Sequence, residues 1–196
     1  MSGKNEISAI FLDADGVLWE DVGPGGVLNG EHHSIQNLGL LPSLEHKKHL
    51  RIVVSNQTLA ARNEIGYVKF KLTTRIFFRR LIKLKLLSDF AICYHHPNAK
   101  NIFLKKNCKC RKPLPGLINS MVKKHNITPE KSFLIGDRIT DIQSGTAAGI
   151  RSLYLIVNPR MLEINVNSSN RPLQLVFTPL KELKEFVKSK EFLDEN

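Results

Sequence analysis

The sequence predicts an α/β fold in which a parallel sheet is wrapped by helices, and three observations predict it. Short apolar runs with β-branched or aromatic residues recur at residues 7–12, 51–55, 90–94, 132–135 and 151–157. Longer stretches of helical periodicity separate them, the alternation expected of strands joined by crossover helices. Three of the runs end in polar clusters, beginning at Asp13, Ser55 and Gly136, and open α/β sheets bind ligands at that carboxyl edge.

The first run, Ile7-Ser-Ala-Ile-Phe-Leu, is almost continuously apolar, as suits a central strand covered on both faces. After the second strand, residues 62–87 read as helix, with Ile65, Val68, Leu72, Ile76 and Phe77 at spacings of three and four. The lysines and arginines between them are expected to form its solvated face. Residues 115–125 start with a proline suited to a first helical turn, and residues 140–148 run into Gly149, a helix stop. In the tail, residues 180–192 repeat Leu183, Phe186 and Val187 at helical spacing, as for a core-packing helix. No linker or internal repeat divides the chain, so residues 1–196 are expected to form a single domain.

The 196 residues suffice for one sizeable core, and 42% hydrophobic content is that of a globular protein. Lys and Arg outnumber Asp and Glu by 29 to 18, a formal charge of +11, which draws anionic ligands such as phosphorylated metabolites or nucleic acids. The N-terminus carries Glu6 and no secretory apolar core. No apolar run approaches the ~20 residues that span a bilayer. A soluble, cytoplasmic protein with no membrane partner is expected. Three cysteines clustered in residues 93–110 suit a metal better than a disulfide framework.

The strand ends carry the chemistry. Asp13-Ala-Asp15-Gly places two carboxylates where the chain turns, and like charges so close call for a cation, with Mg²⁺ the natural partner. Ser55 offers a hydroxyl to a phosphoryl oxygen, and Asn56 and Gln57 add donors. Asp137 can complete a metal site opposite Asp13. Asp141 can join it, orient its water, or anchor the loop as a helix N-terminal carboxylate. Lys112, beside Arg111, can neutralise a carboxylate and the charge that builds on a transferring phosphoryl group.

Taken in order, Asp13/Asp15, Ser55, Lys112 and Asp137/Asp141 resemble the four motifs of the haloacid dehalogenase (HAD) superfamily of phosphotransferases. The resemblance implies a Rossmann-like, three-layer parallel sheet and an Asp13 nucleophile that forms an aspartyl-phosphate. Asp15 would be the general acid and base, with Mg²⁺ on Asp13, Asp15 and Asp137.

Cys93-Tyr-His95 and, after twelve residues, Cys108-Lys-Cys110 supply a complete tetrahedral Zn²⁺ set with no open position, hence a structural site stapling the intervening loop. His96 competes with His95 as the fourth ligand. This Cys-x-His…Cys-x-Cys-Arg-Lys-Pro pattern is similar to that of the D-glycero-D-manno-heptose-1,7-bisphosphate 7-phosphatases and the related histidinol-phosphate phosphatases, its loop length favouring the former. By that resemblance Arg111 recognises substrate, residues 55–58 (Ser55, Asn56, Gln57, Thr58) and the loop from Asp21 line the pocket, and Arg62 reaches a second anionic group. No insertion long enough for a large cap domain follows either of the first two motifs.

Four positions depart from that group: Ala14 replaces a usual Arg, Val17 and Ser55 replace Thr, and the loop from Asp21 lacks a common Tyr. The expected partner is a small phosphorylated metabolite. Polynucleotide 3′-phosphatases, which have similar Ser/Thr-Asn-Gln and Arg-Lys-Pro signatures, provide the rival reading through the basic charge. Against it, the chain has no aromatic stacking platform and no kinase P-loop. A silent zinc-stapled interaction module is the third reading, and intact Asp13, Asp15 and Lys112 speak against it.

Overall fold

A computed structural model describes residues 6–18, 49–62, 66–157 and the strand at 173–177. Its six-stranded sheet is parallel throughout, in the order β3-β2-β1-β4-β5-β6. The strands are β1 (Ser8–Leu12), β2 (His49–Asn56), β3 (Asp89–Cys93), β4 (Phe133–Gly136), β5 (Ser152–Val157) and β6 (Leu173–Phe177). The order turns back between β1 and β4, the topological switch point at which such sheets bind ligands.

β1 is buried along its whole length, and its alternating side chains feed two cores. Ile10 and Leu12 pack with Val53, Phe133 and the helix α1 (Tyr67–Lys83) on one face. On the other, Ala9 and Phe11 meet Leu117, Ile118 and Met121 of α2 (Gly116–His125) and Ile142 of α3 (Ile139–Ala147). These are the three layers of a Rossmann-like fold. The connection from β2 to β3 is filled by α1, with no cap domain there. The loop from Asp21 and the tail helix expected at 180–192 lie outside the described residues.

The helix expected over 62–87 is shorter and turned differently. A 3-10 turn at Ala60–Arg62 precedes it, and α1 runs only from Tyr67 to Lys83. Its buried residues are Phe70, Phe78 and Leu81, whereas Val68, Leu72 and Ile76 are 77%, 58% and 58% exposed. The helix carries apolar residues on more than one stripe, and the aromatic stripe has the larger area to bury. Phe78 stacks on Phe90 of β3 with ring centroids 5.1 Å apart, which fixes the inward face. The other two helices keep close to their expected limits. Pro115 stands at the start of α2, and Gly149, just past α3, adopts a positive φ of 87°.

A smaller core joins the 3-10 turn, the N-terminal half of α1 and the loop after β3 through Ala60, Phe70, Tyr94, Ala99 and Leu104. It carries the loop between Cys93/His95 and Cys108/Cys110 against the rest of the fold.

Candidate active site and metal centres

Asp13 leaves β1 with its N–H bonded to the Ile135 carbonyl of β4 at 3.0 Å, so its position is set by the central strand pair. Its Oδ1 accepts the Ala14 N–H at 2.7 Å and lies 2.9 Å from Lys112 Nζ. Lys112 is only 3% exposed. Its ammonium also donates to the Val54 carbonyl at 2.9 Å and pairs with Asp141 Oδ1, so its three hydrogens have three oxygen partners. Burial works to lower the Lys112 pKa, but the charges of Asp13 and Asp141 outweigh it and raise the group above its ordinary value. Burial and the Asp13 charge lift Asp141 to about 6, against the pull of Lys112.

Carboxylate oxygens of Asp13, Asp137 and Asp141 lie within 4.8 Å of one another, a spacing that one hard divalent cation can bridge. Two glycines permit the approach. A Cβ on Gly16, whose φ is 74°, would stand 2.2 Å from Asp137 Oδ2, and one on Gly136 would stand 2.4 Å from Asp141 Cβ. The carboxylate set therefore differs from the one expected. Asp141 belongs to it, while the Asp15 carboxylate turns to Gln57, accepting from Nε2 at 2.9 Å. Asp141 also serves as the helix-end anchor, its Oδ2 accepting the Arg138 N–H at 3.0 Å.

The β2 end supplies a support frame. Gln57 Nε2 also donates to Ser55 Oγ at 3.2 Å, leaving the Ser55 hydroxyl hydrogen available to a ligand. Asn56 clamps the Lys112 backbone, donating to its carbonyl and accepting its N–H, both at 3.1 Å. Asn56 and Gln57, expected to face substrate, thus hold the lysine and Asp15. Thr58 is half-buried where the 3-10 turn begins. Asp21 lies outside the described residues.

Arg111 is half-buried and donates from Nη1 to the His95 carbonyl at 3.3 Å. Burial and the nearby Arg62 and Arg138 charges lower its pKa, opposed by the Cys93 and Cys108 sulfurs. Arg138, which sequence reasoning passed over, therefore belongs to the same cationic neighbourhood; its place directly after Asp137 was the available signal. Ala14 and Val17 are fully buried in the core under α1. Two departures from the resembled group therefore face packing rather than the open side of the site.

The cysteine cluster sits beside this frame, because Asn56 of β2 pairs in register with Cys93 of β3. Cys93 Sγ lies 3.6 Å from Cys108 Sγ and 3.3 Å from Cys110 Sγ, and the latter two are 3.2 Å apart. His95 Nδ1 is 3.8 Å from Cys93 Sγ and 3.5 Å from Cys110 Sγ. A tetrahedral zinc with sulfur at ~2.3 Å and nitrogen at ~2.0–2.1 Å requires ligand–ligand edges of about 3.5–3.8 Å, so these four atoms can hold one. The competing His96 is engaged elsewhere, its Nδ1 accepting the Asn98 N–H at 3.1 Å.

Comparison with known proteins gives a consistent picture. The HAD-hydrolase-like family model matches residues 109–156, the stretch holding Lys112, Asp137 and Asp141. The D-glycero-beta-D-manno-heptose-1,7-bisphosphate 7-phosphatase of Helicobacter pylori is 33% identical over 162 residues, covering 79% of this chain and 87% of the relative. The D-glycero-alpha-D-manno-heptose-1,7-bisphosphate 7-phosphatase of Photorhabdus laumondii is 31% identical over 154 residues, covering 78% of this chain and 84% of the relative. Among solved structures, the D,D-heptose 1,7-bisphosphate phosphatase of B. bronchiseptica, complexed with magnesium and phosphate, superposes with a TM-score of 0.67 at 21% identity. That match covers 97% of this chain and 100% of the other.

Proposed function

The chain belongs to the HAD-like hydrolases, in the family of the D-glycero-D-manno-heptose-1,7-bisphosphate 7-phosphatases, and from that premise we propose that it hydrolyses the 7-phosphate of this heptose bisphosphate. We read residues 1–196 as one catalytic domain. The observation that carries the chemistry is the buried Lys112 ammonium shared between Asp13 and Asp141, beside an Asp15 held by Gln57.

Asp13 Oδ1 is anchored by Ala14 and Lys112, so Oδ2 is the oxygen that attacks phosphorus. The phosphorus–oxygen bond to the sugar breaks, and Asp15 protonates the departing alkoxide. Asp15 then takes a proton from water, which attacks the aspartyl-phosphate and releases phosphate and the Asp13 carboxylate. Lys112 and the Ser55 hydroxyl stabilise the charge on the transferring group without reorganising, being already fixed. A magnesium ion held by Asp13, Asp137 and Asp141, with the Asp15 segment adjacent, would supply charge neutralisation and in-line orientation.

Arg111, with Arg62 and Arg138 nearby, suits the phosphate that is retained. A structural zinc on Cys93, His95, Cys108 and Cys110 would fix Arg111 and Lys112, which directly follow its last ligand.

Asp13→Asn is expected to abolish phosphate release, by at least about 10³-fold, with circular dichroism and zinc content unchanged. Retained turnover would sink the nucleophile assignment. For the substrate, kcat/KM on the heptose bisphosphate should exceed that on histidinol phosphate and on 3′-phosphorylated oligonucleotides by tenfold or more. The reverse order would replace the sugar reading.

A further inference from the structure

We propose that the outward face of α1 docks the protein onto an anionic lipid surface. Val68, Leu72 and Ile76 follow one another at four-residue spacing and are 77%, 58% and 58% exposed. Residues four apart stack along one ridge of a helix, so these side chains form a continuous aliphatic line rather than scattered apolar positions. Leu84, just past the helix, is 58% exposed as well. Arg75, Arg79 and Lys83 make a second ridge at the same spacing, all exposed. Lys69 and Arg80 flank the pair, and no Asp or Glu occurs from Gly66 to Ser88.

A second element carries the same character. The loop between the Cys93/His95 and Cys108/Cys110 pairs exposes Ile102 at 75% and Phe103 at 83%, with Lys100, Lys105 and Lys106 around them. Leu104 of that loop packs with Phe70 of α1, so the loop tip neighbours the N-terminal half of the helix.

The occupant follows from charge and shape. A second copy presenting this face would set cation against cation. A nucleic acid would meet the cations but gains nothing from three exposed aliphatic side chains. A bilayer containing anionic lipids offers phosphates to the Lys and Arg heads and acyl chains to the aliphatic ridge. That is the arrangement in which a basic amphipathic helix lies in the interface plane. No helix among the described residues is long and apolar enough to cross a membrane, and the contact proposed is peripheral. The sequence pattern alone predicts no membrane partner; the proposed contact rests on the outward face that α1 presents once folded.

The test is co-sedimentation of the full chain with phosphatidylcholine vesicles with and without added phosphatidylglycerol, an anionic lipid. Binding is expected only with the anionic lipid and should weaken steeply with salt. Leu72→Ser/Ile76→Ser and, separately, Arg75→Gln/Arg79→Gln should each reduce it by about tenfold or more. Phosphate release from a soluble substrate and the melting temperature should stay unchanged in both variants. Absence of binding, or equal binding to neutral vesicles, overturns the proposal. So does unchanged binding of the serine variant, since the aliphatic ridge would then be idle. Tighter binding to duplex oligonucleotide that the serine variant retains would reassign the face to nucleic acid. A dimer that either variant dissociates would reassign it to self-association.

Discussion

Gln57 shows how a residue two positions past a strand acts through its neighbours. One amide nitrogen donates both to Asp15 Oδ2 and to Ser55 Oγ, so the side chain aligns Asp15, the proposed proton donor, with the hydroxyl proposed to meet the phosphoryl group. Gln57→Leu is expected to lower kcat on the sugar phosphate by roughly ten- to hundredfold with little change in KM, because general acid catalysis contributes ~10²–10⁴. Formation of the phosphoenzyme from p-nitrophenyl phosphate, whose leaving group needs no proton, should be affected far less in rapid-quench measurements. A uniform loss on both substrates would make Gln57 merely structural. The sequence reading made Asn56 and Gln57 substrate contacts, whereas in the fold they bond Lys112, Asp15 and Ser55, since residue type shows donors without showing where they point. Ala14 and Val17 illustrate the same limit, being fully buried in the core. The cationic neighbourhood of Arg62, Arg111 and Arg138 joins positions far apart in the chain, and only folding brings them together.

At the scale of elements, the loop between β3 and α2 links the two candidate metal centres. The last cysteine of the cluster, Cys110, directly precedes Arg111 and Lys112, and Asn56 grips the Lys112 backbone from β2. Cys110→Ser, or prolonged chelation, should release about one zinc per chain and accelerate hydrogen exchange across residues 97–112. The melting temperature should fall by several degrees, because a structural zinc contributes directly to folding. Unchanged metal content and exchange would argue for plain buried thiols. Here the spacing in the sequence pointed to the cluster that the fold assembles, three thiols and one imidazole in mutual reach. It was less informative for α1, where apolar residues fill more than one stripe. Periodicity then names a helix but not its buried face, and the sheet chose Phe70, Phe78 and Leu81.

Across the whole molecule, the site exists only because β1 and β4 pair at the switch point, bringing Asp13 within reach of Asp137 and Asp141. Asp141 has its pKa raised to about 6, by burial first and the Asp13 charge second. In the metal-free protein its stabilising contribution is complete below the ordinary carboxylate range and is lost as pH rises through about 6. A bound cation reverses that penalty. Added Mg²⁺ should therefore raise the melting temperature more at pH 7.5 than at pH 5, and its apparent affinity should weaken as pH falls below about 6. Thermal-shift titrations at the two pH values check this; equal stabilisation at both would remove Asp141 from the cation site. The sequence by itself determined five of the six strands, their carboxyl-edge motifs and the Cys/His spacing, because these are local patterns of residue type; β6 was not among them. The tertiary structure decided which carboxylates converge, which amides act as supports, and which stripe of α1 faces solvent. Those outcomes depend on distances between residues remote in the chain and on competition for burial, neither of which a local pattern contains.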